Sequence, residues 1–349
     1  MFAKQLMQPE LWDRMFENHW HLVCHRSELE RSGDYVRFTI LDREIAIFND
    51  GSSIIAFDNR CPHRGARIFD GHAGRQQFLC RYHGWSFRKG KLYGPKQQEF
   101  AGCDPAELDL NRLPIEWLED FLFVSPAPSI GLSDQLGEVA PILSAISRSI
   151  FDRADFNAYE FLSDWRIGLE NALEPYHVGV VHPTSLGTLQ LQPGRNDYHG
   201  INSVWSSPVG EARTEKRLRS LTRMFDLTYQ YEGYQSIYMF PFTMLSSTFG
   251  FSYSLQQFYP SITSDRTHFT SRLFRSRLKE TVKPELLATF FDSSAELNRQ
   301  TFEEDHQICQ RVFTDSWSKD PPRCWSSSEE KLLHFRRCYS AFADGITAP

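Results

Sequence analysis

The chain has 349 residues, more than one compact core usually spans, so two domains, or one with a long insertion, are expected. Hydrophobic residues make up 41% and charged residues 23%, ordinary for a soluble globular protein, and the net charge of −6 argues against a general nucleic-acid binder. No run of 18 apolar residues is present and the opening residues lack an unbroken apolar stretch, so neither a membrane span nor a secretory signal is expected.

In chain order, "PELWDRMFENHW" predicts a short amphipathic helix starting at Pro9, since proline suits a first helical turn. Strand-like runs follow: "YVRFTIL", "EIAIFND" and "SIIAFDN", with "NDGS" marking a hairpin between the last two. "LPIEWLEDFLFVSPAP" adds one or two further strands and closes an all-β block near residue 125. "SPAPSIGLSDQLG" (125–137) reads as a linker or domain edge, and residues 160–183 have a helical pattern. "YQSIYMFPFTMLSST", "GFSYSLQQFYP" and "RTHFTSRLFRSR" predict an antiparallel sheet, and helical periodicity returns over 284–313. The fold class is therefore α+β, with expected divisions at 1–20 (a helix packing with the second domain), 21–125 and 126–349. Aromatics reach 14%; Tyr229, Tyr231, Tyr234, Tyr238, Phe240, Phe242, Phe249, Phe251, Tyr253 and Phe258 fall on the later strands, where alternation sends about half to an inner face that could line a pocket.

Chemistry concentrates first in "CPHRGARIFDGHAGRQQFLCRYH" (61–83). Cys61-x-His63 and Cys80-x-x-His83 stand sixteen residues apart inside the β block. Two thiolates and two imidazoles suit a tetrahedral zinc or a Rieske-type [2Fe–2S] cluster, so ligand count leaves both open. Gly65 and Gly84 beside the ligands, and a third loop "LYGP" (92–95), favour the cluster, because glycines let backbone N–H groups approach sulfur. His72 matches no ligand position and is expected to face solvent. The other five cysteines, Cys24, Cys103, Cys309, Cys324 and Cys338, have no framework spacing and read as small buried thiols of a reducing cytoplasm. Residues 60–96 hold nine Lys or Arg and one acid, a net +8, so the remainder carries −14. That island suggests a dock for an acidic electron-transfer partner or for the acidic face of a neighbouring subunit.

A second set lies in "DWRIGLENALEPYHVGVVHP". Glu170, Glu174 and His177 follow i, i+4, i+7 and would share one helix face, with His182 five residues further on, before Pro183. Two histidines and one carboxylate on one face of Fe(II) leave positions open for O2 and substrate. The carboxylate expected to join them is Asp305, because Leu297, Thr301, Asp305, Ile308 and Val312 form a helical stripe from which Glu303 and Glu304 rotate away.

The motifs "CPHRG", "CRYHGWSF" and the later acid-x3-acid-x2-His-x4-His series resemble the catalytic (alpha) subunits of Rieske non-heme iron oxygenases, in the same order and over both halves of the chain. The resemblance implies a Rieske [2Fe–2S] domain followed by a helix-grip (START-like) catalytic domain. It implies cluster ligands Cys61, His63, Cys80 and His83, and mononuclear Fe(II) ligands His177, His182 and Asp305, with Glu304-Asp305 matching a frequent Glu-Asp pair. Glu170 falls on the first acid of the series. Glu174 stands where the family usually has Asp, an acid that bridges a cluster histidine of one subunit to an iron histidine of the next; Glu there also occurs in relatives acting on quaternary amines. The implied partners are an NAD(P)H-dependent reductase or a ferredoxin, O2 and a small aromatic or amine-type substrate, with monooxygenation (hydroxylation or oxidative demethylation) in a cytoplasmic homotrimer. Rival readings leave residues unexplained: a zinc-stabilised scaffold has no use for His177, His182 and Asp305, and a non-catalytic electron carrier has none for the long second half.

Overall fold

The structure, a computed structural model, describes residues 9–93, 99–100, 102–317 and 322–346. Gly94, Pro95 and Lys96, read above as part of the third loop and the basic island, lie outside the described residues. So do residues 1–8.

Helix α1 (Pro9–Asn18) buries Leu11, Trp12, Met15 and Phe16. Trp12 meets Trp165 edge-on at 6.2 Å, and its indole N–H donates to the Tyr339 hydroxyl at 3.1 Å, so the first helix packs on elements far along the chain. Ten strands follow: β1 (His21–His25), β2 (Asp34–Ile40), β3 (Arg43–Asn49), β4 (Ile54–Asp58), β5 (Ala73–Arg75), β6 (Ser86–Arg88), β7 (Lys91–Tyr93), β8 (Arg112–Leu113), β9 (Ile115–Leu118) and β10 (Phe121–Val124). They form sheets ordered β5-β2-β3-β4-β8, β1-β10-β9 and β6-β7. The three strand-like runs fall on β2, β3 and β4. The expected hairpin turn forms because the Asp50 carboxylate accepts the N–H groups of Ser52 and Ser53, each at 2.8 Å. Under the Cys/His loops the core is aromatic: Tyr35, Phe48, Phe57 and Phe78 surround Phe69, with Tyr35 stacked on Phe69 at 4.5 Å.

The stretch read as a linker or domain edge carries regular structure at its end. It runs into α2 (Leu132–Leu136) and α3 (Val139–Ser149), whose Leu132, Leu136, Val139 and Leu143 join a buried cluster. Then come β11 (Ile150–Phe161), α4 (Trp165–Leu173), α5 (Val178–Val181), β12 (Arg195–His199), β13 (Asn202–Ser207), α6 (Ala212–Thr222), β14 (Tyr234–Met239), β15 (Thr243–Thr248), β16 (Ser252–Pro260), β17 (Thr267–Ser276), α7 (Ala288–Cys309) and α8 (Glu330–Ala343). The strands make one antiparallel sheet of seven, ordered β11-β17-β16-β15-β14-β13-β12. The whole is α+β, an N-terminal part of strands followed by a sheet with flanking helices.

Strand alternation gives this sheet two unlike faces. Ile237, Leu245 and Leu255 lie opposite one another on one face and pack with α2, α3 and strands β1 and β10. Ser236, Ser246 and Ser254 lie opposite one another on the other, the side covered by α4, α7 and α8. The two halves of the chain are also tied by charge. Glu28, just after β1, is buried and ion-paired with Arg153 of β11 and with fully buried Arg272 of β17. Burial opposes ionisation of Glu28, but the two guanidiniums outweigh it and hold its carboxyl below the usual range. Among the described residues no helix is long and apolar enough to cross a membrane.

Replacing Trp12 removes a fully buried aromatic that joins α1 to α4 and α8. Trp12→Ala is expected to destabilise the protein by about 3–5 kcal/mol, read as a lowered midpoint in thermal or denaturant unfolding, and Trp12→Phe by clearly less.

Candidate metal centres

The two Cys/His loops are built alike. The Cys61 N–H donates to the Ala66 carbonyl and the Cys80 N–H to the Trp85 carbonyl, at 2.8 and 2.7 Å. Each cysteine carbonyl accepts from the glycine four residues on, Gly65 at 2.9 Å and Gly84 at 3.0 Å. Both glycines have positive φ, 71° and 73°, which a side chain would strain. Cys61 and Cys80 are buried and adjacent; burial pushes the Cys61 thiol up to about 11, opposed by the N–H groups of His63 and Arg64. The His63 and His83 rings lie 4.6 Å apart, and His63 stacks on Trp85 at 4.8 Å with its Nδ1 buried and unpaired.

Among the described residues, only His177, His182 and Asp305 bring three donor atoms of His, Cys, Asp or Glu within 4.8 Å of one another. Cys61 beside Cys80, and His63 beside His83, suit a two-iron cluster with sulfur ligands at one iron and nitrogen ligands at the other. His72 is exposed, as expected. Cys24, Cys309 and Cys338 are buried, but Cys103 and Cys324 are exposed, contrary to the reading of all five as buried thiols.

Helix α4 does not run through to His177. It ends at Leu173, and Glu174 is extended (φ −119°, ψ 146°) because the following Pro175 disfavours the helical region for the residue before it. Glu170, Glu174 and His177 therefore do not share a helix face. Glu170 turns away to make two hydrogen bonds to Arg336 of α8, at 2.5 and 2.8 Å, and is removed from the centre. Glu174 folds back, its carboxylate accepting from the N–H groups of Tyr176 and His177 and pairing with His177 Nδ1 at 2.5 Å. The break turns the chain so that His177 and His182, either side of the single turn α5, face each other with ring centroids 5.2 Å apart.

Asp305 reaches them from α7, its Oδ1 lying 3.4 Å from His177 Nε2 and 3.0 Å from His182 Nε2. The stripe that pointed to Asp305 is not the buried one. Leu297 and Val312 are exposed, and α7 buries Phe291, Phe302, His306 and Cys309. Nor does Glu304 rotate away: it accepts from Ser185 Oγ and pairs with His182 Nδ1 at 2.7 Å. Sequence reasoning missed this role, whose only signal was the acidic neighbour of Asp305, and also missed Asn171, whose amide donates to Asp305 Oδ1 at 2.6 Å.

Both imidazoles are thus pinned at Nδ1 by a carboxylate and present Nε2 to one point, the usual arrangement around a metal-bound histidine. His182 Nε2 is buried with no aligned hydrogen bond, a donor set that fits a cation. Burial works against a charged His177, but Asp305 and Glu174 outweigh it and raise its pKa to about 9; Asp305 and Glu304 raise His182 likewise. Asp305 is held below the usual carboxylate range by the two imidazoles despite its burial. A space of about 50 Å³ beside the three residues is walled by Leu186, Trp205, Tyr234, Ser236, Met244 and Gln256, and none of its lining comes from 61–83. Of the ten strand aromatics, Tyr234 alone reaches it; Tyr238, Phe242, Tyr253 and Phe258 are fully buried core.

A family model described as the Rieske [2Fe-2S] domain matches residues 19–101, and one described as the ring hydroxylating alpha subunit (catalytic domain) matches residues 153–345. The carnitine monooxygenase oxygenase subunit of Escherichia coli (strain K12) is 27% identical over 245 residues, 68% of this chain and 63% of that protein. Its counterpart from Acinetobacter pittii is 28% identical over 213 residues, 59% of this chain and 56% of its own length; both matches span less than two thirds of the relative. The alpha subunit of an N,N-dimethyl phenylurea N-demethylase from Sphingobium sp. is 33% identical over 183 residues, 49% of this chain and 40% of that one. In fold, a quaternary ammonium Rieske monooxygenase in complex with L-carnitine superposes with a TM-score of 0.72 at 19% identity, covering 95% of this chain and 90% of that one. A naphthalene 1,2-dioxygenase from Rhodococcus sp. gives 0.70 at 18% identity, covering 95% and 91%.

Because His177 is protonated near neutrality in the metal-free protein and a metal needs its Nε2 free, uptake of Fe(II) at pH 7 should release protons. The release, followed with an indicator dye in weak buffer, is expected to fade as pH rises past about 9.

Proposed function

This chain belongs to the ring-hydroxylating alpha-subunit family, and from that premise we propose that it is the terminal oxygenase of a Rieske non-heme iron system. The observation that carries the proposal is the convergence of His177, His182 and Asp305. In this reading Cys61, His63, Cys80 and His83 hold a [2Fe–2S] cluster within residues 21–125, and His177, His182 and Asp305 hold Fe(II) within 126–349. The cluster supplies single electrons and the mononuclear iron supplies the O2 chemistry that monooxygenation requires.

The surrounding residues do the rest. Glu174 and Glu304 each hold an imidazole Nδ1–H, fixing the tautomer that offers Nε2 to iron. Glu174, its side chain 11% exposed, is followed by strongly exposed Tyr176 and Val180, 70% and 85% accessible, which supports its role as the bridge to a cluster histidine of the next copy in a homotrimer. Glu44 pairs with Arg67 and Asp34 with Arg75, while Arg60, Arg64, Arg81, Arg88, Lys89 and Lys91 are exposed and make no ion pair among the described residues. We read these six as the charges that would draw a ferredoxin or an NAD(P)H-dependent reductase to this part of the chain. The substrate is a small aromatic or amine-type molecule, in keeping with relatives named for carnitine, a dimethyl phenylurea and anthranilate, and the seven cysteines suit a cytoplasmic setting.

The purified protein is expected to be red-brown with about three irons per chain and acid-labile sulfide. Asp305→Ala should lose the mononuclear iron and keep the visible spectrum; zinc in place of iron, or a colourless protein without sulfide, sinks the proposal. Glu174→Gln should retain both centres and slow single-turnover product formation by about 10–100-fold. Reductase-supported turnover should fall as ionic strength rises, and indifference to salt would remove the docking face.

A further inference from the structure

Lys331 of α8 is 2% exposed, and among the described residues its ammonium reaches only Ser236, 3.0 Å from the hydroxyl oxygen and 3.5 Å from the carbonyl. No carboxylate lies within ion-pair distance of it among the described residues. The preceding Glu330 bonds the Asn196 amide at 3.4 Å, and Glu329 caps the backbone at Ser326. Burial alone lowers Lys331 to about 7, the mark of a cation left without a counter-charge. A buried ammonium of this kind is costly, and nothing in the packing of α8 requires one.

Ser236 connects this charge to the candidate iron site. It stands on the hydroxyl-bearing face of the sheet and lines the space that also borders His177, His182 and Asp305. With its oxygen accepting from Lys331, its own O–H is directed to the Met244 thioether at 3.5 Å, a weak acceptor. A stronger acceptor in the cavity would take that proton and receive the lysine's charge through it. The adjoining space, about 410 Å³, shares Leu186, Tyr234, Gln256, Thr301 and Phe302 with the first and adds further hydroxyls, among them Ser246 and Ser254. The carboxylates nearest the site, Asp305, Glu174 and Glu304, are already paired with imidazoles.

We propose that Lys331, acting through the Ser236 hydroxyl, is the positioning residue for a carboxylate group, so that the substrate is a small organic acid held by its anionic end. The proposal rests on the oxygenase reading and narrows it. A carboxylate at Ser236 forms a charge-assisted hydrogen bond and gives Lys331 its missing counter-charge, whereas a quaternary ammonium end there would meet a like charge. An amine-type substrate therefore has to carry an acid as well and point its cation away from Ser236.

The test compares matched acid and amide probes, benzoate with benzamide and butyrate with butyramide, by calorimetric binding to the iron-loaded protein. The wild type should bind the acid of at least one pair about tenfold more tightly than the amide. Lys331→Met should bring that pair to within about twofold by weakening the acid and leaving the amide unchanged, and should raise the melting temperature by removing a buried charge. Ser236→Ala, which carries the same comparison if Lys331→Met does not fold, should lose most of the preference too. For an acid that is turned over, KM should rise while kcat holds. Equal binding of acid and amide by the wild type, failure of both acids to bind, or a preference that survives in Lys331→Met overturns the proposal. Iron, sulfide and the visible spectrum of the same preparations report on the oxygenase reading independently. Normal values with no acid preference sink only the carboxylate site, and absent iron with an intact preference sinks only the oxygenase.

Discussion

Two carboxylate–imidazole pairs govern the catalytic half. Glu174 on His177 and Glu304 on His182 each occupy Nδ1, and only with both in place do the two Nε2 atoms meet Asp305. An imidazole free to rotate, or protonated on the other nitrogen, offers the metal nothing. Each pair in turn depends on backbone that is not regular helix. Pro175 ends α4 so that Glu174 can fold back onto His177, and the turn past His182 carries Ser185 to Glu304. Helix α7 must then lie close enough to α4 for Asn171 to bond Asp305.

Polar groups also decide how the rest of the chain is held. Glu28 lies between Arg153 and Arg272, and Arg272 passes a hydrogen bond to Gln257, which donates to the Leu22 carbonyl. Asp164 and Arg166 are both fully buried, and the Arg166 guanidinium lies 4.3 Å from the Trp317 ring and 5.4 Å from Trp12. Such sites tolerate loss of one partner poorly, because the charge left behind stays buried. They fix α1, α4 and α8 in one relative position, and α4 and α8 carry Asn171 and Lys331.

What was legible beforehand follows from what is local. The Cys/His pairs with their glycines were readable because each loop closes within five residues of its cysteine. The strands on either side of "NDGS" were readable because a turn and two alternating runs agree. The helix expected across Glu174 stops short of it because the constraint that Pro175 places on the residue before it outweighs i, i+4, i+7 spacing. The stripe through Asp305 is exposed at both ends, at Leu297 and Val312, and the resemblance carried Asp305 better than the periodicity did. Glu304, Asn171 and Lys331 were out of reach because their partners lie 95 to 134 residues away, and no short-range pattern announces such a contact. Most of the strand aromatics are sheet core, the commoner fate of such rings, and the cavity face is rich in serine.

That division of the seven-stranded sheet bears on how such a protein can change. Ile237, Leu245 and Leu255 on one face hold the fold, while Ser236, Ser246 and Ser254 on the other do little packing and border the cavity. Substitutions at Ser246 and Ser254 should therefore cost little stability, because they neither open holes in the core nor strand a buried charge, whereas loss of the Ser236 hydroxyl would leave Lys331 without its partner. Neighbouring positions along a single strand should thus differ in what a substitution costs, one expensive and one cheap. A lineage built on this sheet can exchange one substrate for another by trading hydroxyls, without passing through forms that fail to fold.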